Sequence, residues 1–147
     1  MTSAGSSEQV AERNPARAAD RLRGSSMGLI VMLIIEFGLG IGVNLYVTLH
    51  KGGISKAFTN GPLLALHAVL GVLLFLAAIS FLVSAIRAGH RVALVTGVVG
   101  LIAIIGAAVN GMTFVSNGQN GTSLGMAIAG LVALLSYAVA LRSLVSS

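Results

Sequence analysis

Cysteine is absent from the 147 residues, which excludes disulfides, thiolate metal sites and cysteine nucleophiles. Charge is scarce as well. Asp, Glu, Lys and Arg make up 9% of the chain, against roughly a quarter in soluble domains. A soluble fold this poor in polar residues could not cover its own surface. The sequence also lacks a Walker loop, a zinc-binding H-E-x-x-H, a nucleophile elbow and a G-x-G-x-x-G turn after a strand. Gly38-x-Gly40-x-Gly42 falls inside an apolar helical run, where it cannot cradle phosphate. Hydrolytic and nucleotide chemistry therefore have no support, and the balance leans away from an enzyme.

What is present is apolar: 56% of residues are hydrophobic, with a mean hydropathy of +0.97. Lipid is the expected solvent, and the bilayer is the first partner. The net charge of +5 does not point to nucleic acid, because four of the nine basic residues lie in the N-terminal tail and most others flank apolar segments. Four apolar runs, at about 27–49, 62–86, 92–115 and 123–141, each approach the ~20 residues that cross the hydrocarbon core. Lipid leaves an open backbone unsatisfied, so each run is expected to be a helix. The first is too long for a signal peptide and reads as a retained anchor. The connection at Ala88-Gly89-His90-Arg91 is tight, and the one at 116–122 is rich in turn formers, which makes successive helices antiparallel neighbours.

The expected fold is thus all-α, an antiparallel bundle of four transmembrane helices over 27–147 behind a basic, disordered tail at 1–26. Within the tail, Asn14-Pro15 to Arg23-Gly24 carries the signals of a short helix: a capping Asn, Pro at the first position and a terminating Gly. Its Arg13, Arg17 and Arg21 suit a solvated flank or an anionic-lipid contact. Arg13, Arg17, Arg21, Arg23, Arg87, Arg91 and Arg142 share one side, and only Lys51 and Lys56 share the other. The positive-inside rule then places both termini in the cytoplasm. In the outer loop, Ile54, Ala57 and Phe58 have the spacing of one interfacial helical turn.

Four side chains inside the runs are costly in lipid: Glu36, Asn44, His67 and Asn110. Glu36, Gly40 and Asn44 recur every four residues, which predicts one stripe facing the bundle. Counting ~1.5 Å per residue from the expected helix ends puts Asn44, His67 and Asn110 at one depth in the outer half, a candidate polar cluster. His67 could bond Asn44 or Asn110 and hold helices in register. Alternatively, Gly71 one turn from His67 would let a porphyrin approach, with Met126 at similar depth as a second haem ligand; a quinone is a further option. Glu36 could bind protons or a cationic substrate in a transporter, or stay protonated and bonded to a neighbouring helix. Gly38 and Gly42, Ala103, Ala107 and Gly111, and Gly121, Gly125 and Ala129 form small-residue faces for close packing, or for a homodimer.

The stretch Glu36-Phe-Gly-Leu-Gly-Ile-Gly-Val-Asn44-Leu-Tyr46, the pair Leu66-His67 leading to Gly71, and Asn110-Gly-Met-Thr-Phe114 leading to Ser123-Leu-Gly-Met126 resemble small four-helix integral membrane proteins of actinobacteria. The resemblance covers about residues 27–141. It implies a plasma-membrane location and supplies no activity. Small multidrug exporters are similar in having four short helices with a glutamate in the first, but tryptophan is absent here and the arginine asymmetry opposes dual insertion. Membrane cytochromes of the four-helix kind share the architecture and typically hold more intramembrane histidines. The leading expectation is a non-enzymatic accessory or interaction subunit, acting through packing with its own copies or another membrane subunit. The alternatives are a haem- or quinone-binding redox protein using His67 and a proton-coupled transporter using Glu36.

Overall fold

A computed structural model describes residues 15–46, 61–117 and 120–146. The expected turn at Ile54, Ala57 and Phe58, the outer lysines and residues 1–14 of the tail lie outside the described residues. The described chain is all-helical: α1 (Pro15–Tyr46), α2 (Pro62–Ala88), α3 (Arg91–Asn117) and α4 (Asn120–Val145). Each is long and apolar enough to cross a membrane. At ~1.5 Å per residue, the 27 residues of α2 reach about 40 Å.

Local signals explain the ends. Pro62 opens α2, where its missing N–H costs nothing. Gly89 closes it in the left-handed conformation (φ 67°), its N–H donating to Ile86 O at 3.1 Å. His90 then starts α3: its ring Nδ1 accepts a hydrogen bond from Ala93 N at 3.2 Å, a capping role usually filled by a side-chain oxygen.

α1 corrects the expectation of disorder before residue 27. Residues 15–26 are helical, and Gly24 does not end the helix. Gly in a helix costs about 1 kcal/mol relative to Ala, but Leu22 and Ser26 are fully buried on either side of it. Arg23 Nε donates to Leu144 O at 2.8 Å, and Nη2 bonds the same oxygen. A carbonyl left over at the end of α4 thereby gains a partner.

The helices form a four-cornered ring. α1 packs on α2 and α4, α3 packs on the same two, and the diagonal pairs make no backbone contact among the described residues. Interior residues recur with a 4-3-4 spacing, the heptad rhythm of helices that pack side by side. It generates four layers with one residue from each helix. The first holds Leu22, Ala85, Ala93 and Leu144; the second Ser26, Phe81, Gly97 and Ala140; the third Leu29, Ala78, Gly100 and Tyr137; the fourth Leu33, Leu74, Ile104 and Ala133. Every one of these residues is buried.

Each layer combines large with small residues, and in the second and third layers bulky side chains fill notches left by glycine. A Cβ on Gly100 would lie 2.7 Å from Tyr137 Cζ, and one on Gly97 would lie 3.1 Å from Phe81 Cε1. The Phe81 and Tyr137 rings meet edge to face, with centroids 5.4 Å apart. In lipid such fitting replaces the hydrophobic force that water would supply. Outward positions carry exposed large apolar residues on every helix, among them Ile34, Val72, Ile102 and Leu135.

Candidate functional site

Continuing the same spacing past the fourth layer changes the chemistry of the core. The fifth layer is Glu36, Gly71, Ala107 and Gly130, and the sixth is Gly40, His67, Gly111 and Met126. Two close approaches fix the α1/α2 register here: a Cβ on Gly71 would sit 3.0 Å from Glu36 Oε1, and one on Gly40 would sit 3.4 Å from His67 Cε1. Across the ring, a Cβ on Gly111 would be 3.3 Å from Met126 Sδ. Unlike the four layers below, none of these residues is fully buried. Beyond them Val43 and Leu64 are buried again, with Leu63 and Val115 packed against them. The bundle is therefore fully buried over four layers at one end and partly exposed over the next two.

Glu36 and His67 meet there. His67 Nδ1 lies 3.1 Å from Glu36 Oε1, with the side chains 19% and 14% exposed for His67 and Glu36. The approach is too oblique for an aligned hydrogen bond, so Nδ1 and Glu36 Oε2 are both buried without a hydrogen-bond partner. Since Nδ1 is buried, the exposed part of the imidazole belongs to its other atoms. Glu36 Oε1 lies against the notch at Gly71 and the His67 ring against the notch at Gly40, and the partly exposed remainder of the two side chains is the accessible part of the pair.

The structure places the other expected site residues elsewhere. Asn44 is exposed and joins neither Glu36 nor His67. A strict four-residue repeat drifts about 40° per step round a helix of 3.6 residues per turn, so Val43 takes the inward place that the stripe assigned to Asn44. Asn110 donates through Nδ2 to Gly106 O of its own helix at 2.8 Å. Its Oδ1 lies against α4, 2.7 Å from where a Cβ on Gly125 would be. The expected Asn44, His67 and Asn110 cluster is thus replaced by the Glu36–His67 pair, with Asn110 separately seated at the α3/α4 contact.

Met126 does share a layer with His67, on the helix at the opposite corner. His67, however, leans on α1 at Glu36 and Gly40, whereas Met126 leans on α3 at Gly111. They lie along different edges of the ring, so this arrangement does not aim both at one haem iron. Among the described residues, no group of three or more His, Asp and Glu could hold a metal ion.

Sequence reasoning missed two further buried polar groups, Ser26 Oγ and Tyr137 Oη, which have no hydrogen-bond partner. Other helix hydroxyls, such as Ser84, Thr96, Thr113, Ser116 and Ser136, donate to a carbonyl one turn back in their own helix. The signal available for Ser26 and Tyr137 was their place in the heptad rhythm of small and large residues. Compared with protein-family models, curated proteins and solved structures, the chain shows no match.

Proposed function

We propose that this chain is a plasma-membrane protein with four antiparallel spans and both termini in the cytoplasm, and that it couples proton exchange at Glu36–His67 to passage of a small cationic solute. The observation that carries the reading is the pair itself: an acid and an imidazole 3.1 Å apart, partly accessible, in the two layers where the core is built from glycine and alanine. Ionisable groups are expensive in lipid, and such groups inside spans commonly serve proton or ion pathways. No Lys or Arg occupies these layers, so an anionic Glu36 is balanced by a protonated His67 or by a bound cation. Arg17, Arg21, Arg23, Arg87, Arg91 and Arg142 gather at the tightly packed end, which supports a cytoplasmic assignment for it and an outward one for the polar layers.

A role in packing alone, as an accessory or interaction subunit, rests on the small-residue faces and the missing catalytic motifs, with Glu36–His67 joining α1 to α2 where Asn44, His67 and Asn110 were expected to fix register. The test uses purified protein in liposomes loaded with a pH-sensitive dye, under an imposed pH gradient, with ethidium and tetraphenylphosphonium as probe cations. Wild type is expected to carry protons in exchange for probe, and Glu36→Gln to abolish the exchange. Wild-type vesicles no leakier than empty ones, or normal exchange by Glu36→Gln, would overturn the reading.

A further inference from the structure

The four buried, unpartnered polar side-chain atoms of the described residues are His67 Nδ1, Glu36 Oε2, Tyr137 Oη and Ser26 Oγ. They are not scattered. They occupy the sixth, fifth, third and second layers of the one core, a descending series from the polar section toward the arginine-rich end. An unpaired buried polar atom is costly, and the usual remedy is an ordered water with two or more polar partners. Tyr137 on α4 seats its ring and hydroxyl against the notch at Gly100 on the neighbouring α3, while Ser26 lies one layer nearer the end, on α1.

Two apolar layers bound this series: the fourth interrupts it, and the first, Leu22, Ala85, Ala93 and Leu144, closes it below Ser26. Leu33, Leu74, Ile104 and Ala133 offer no polar side-chain group and are at most 6% exposed. From the fifth layer to the third is seven residues along a helix, about 10 Å, so a proton cannot step directly from Glu36 to Tyr137. A closed apolar ring of this kind blocks conduction until it is wetted.

We propose that Tyr137 and Ser26 are the cytoplasmic half of a water-mediated proton path serving Glu36, with Leu33, Leu74, Ile104 and Ala133 as its inner gate and the apolar first layer, Leu22, Ala85, Ala93 and Leu144, as its gate at the arginine-rich end. The inference rests on the proton-exchange reading of Glu36–His67 and adds the route and its control. When the fourth layer hydrates, a proton leaving the Glu36 carboxyl is taken up by water and passed to a lone pair of Tyr137 Oη. The hydroxyl's own proton departs toward Ser26, where the same exchange repeats, so neither hydroxyl changes its net charge. Of the elements packed on Glu36, α2 contributes the titratable His67, while Ala107, Gly111, Gly130 and Met126 on α3 and α4 carry no charge.

The test follows the carboxylic C=O stretch of Glu36 by time-resolved infrared spectroscopy after a pH jump on the arginine-rich side of oriented proteoliposomes. The amplitude of the change reports the pair, and its rate reports the path. In Tyr137→Phe the rate is expected to fall by roughly tenfold or more, as when a positioned proton-transfer group is removed, with the amplitude retained. Ser26→Ala should slow it likewise, and Leu33→Ser, which wets the inner gate, should speed it. An unchanged rate in both Tyr137→Phe and Ser26→Ala, with full amplitude, would overturn the path and leave the pair standing. Loss of the wild-type amplitude would remove the pair itself, and the path with it. Tyr137→Phe deletes an unpartnered hydroxyl and keeps the ring in its notch, so the variant should fold at least as well as wild type.

Discussion

At the residue scale, glycines decide where this core is full and where it is open. Gly100 is a notch filled by Tyr137, since a Cβ there would lie 2.7 Å from Cζ and 2.8 Å from Cε2. Gly100→Ala should therefore destabilise the bundle by about 1–3 kcal/mol, the usual cost of overpacking, seen as a lower thermal midpoint in detergent. Gly106 has nothing within 4 Å of its would-be Cβ, so Gly106→Ala should be neutral or stabilising, by up to about 1 kcal/mol. Equal effects at the two positions would contradict the layer assignment. Both glycines lie in the one apolar run at about 92–115, where nothing in the sequence tells them apart. Only the neighbour across the ring distinguishes a filled notch from an open face.

The pairing of Glu36 with His67 was only partly legible for a related reason. Both were visible as costly residues, and Gly40 and Gly71 stood one turn from them. The depth count, however, started from expected helix ends at 49 and 62, whereas the contacts of His67 with Glu36 and Gly40 set it level with Gly40 rather than Asn44, a shift of four residues or about 6 Å. An error of one helical turn was enough to replace the true partner by an amide.

At the element scale, helix ends follow local chemistry more than hydropathy. α2, framed by Pro62 and Gly89, was legible nearly to the residue. The extension of α1 to Pro15 was not, because its support comes from afar: burial of Leu22 and Ser26 in the ring, and the Arg23 bonds to Leu144 O. Nor does an apolar scale reveal heptads when lipid-facing positions are as apolar as the core. The α2/α3 corner gives the clearest element-scale prediction. His90→Ala removes the acceptor for Ala93 N and should cost about 0.5–2 kcal/mol, whereas Asn at the same position can cap and should restore most of it. Thermal unfolding of the two variants decides this; equal stability would mean that the ring nitrogen contributes nothing as a cap.

At the scale of the whole molecule, the bundle is asymmetric along its axis. Four layers are closed, and the next two are partly exposed and hold an acid and an imidazole. Close packing at one end anchors the helices without help from water, and the glycine-lined section brings the acid and the imidazole together in a short length. That division is what makes a proton-linked carrier the best-supported reading, since a carrier needs one firm end and one accessible site. The most direct measurement is the equilibrium infrared difference spectrum of the protein in bilayers between acidic and alkaline buffer. The account predicts a carboxylic C=O band that disappears with rising pH, is missing in Glu36→Gln and is displaced in frequency in His67→Ala. A band that persists unchanged across the full pH range, or one that survives Glu36→Gln, would contradict it.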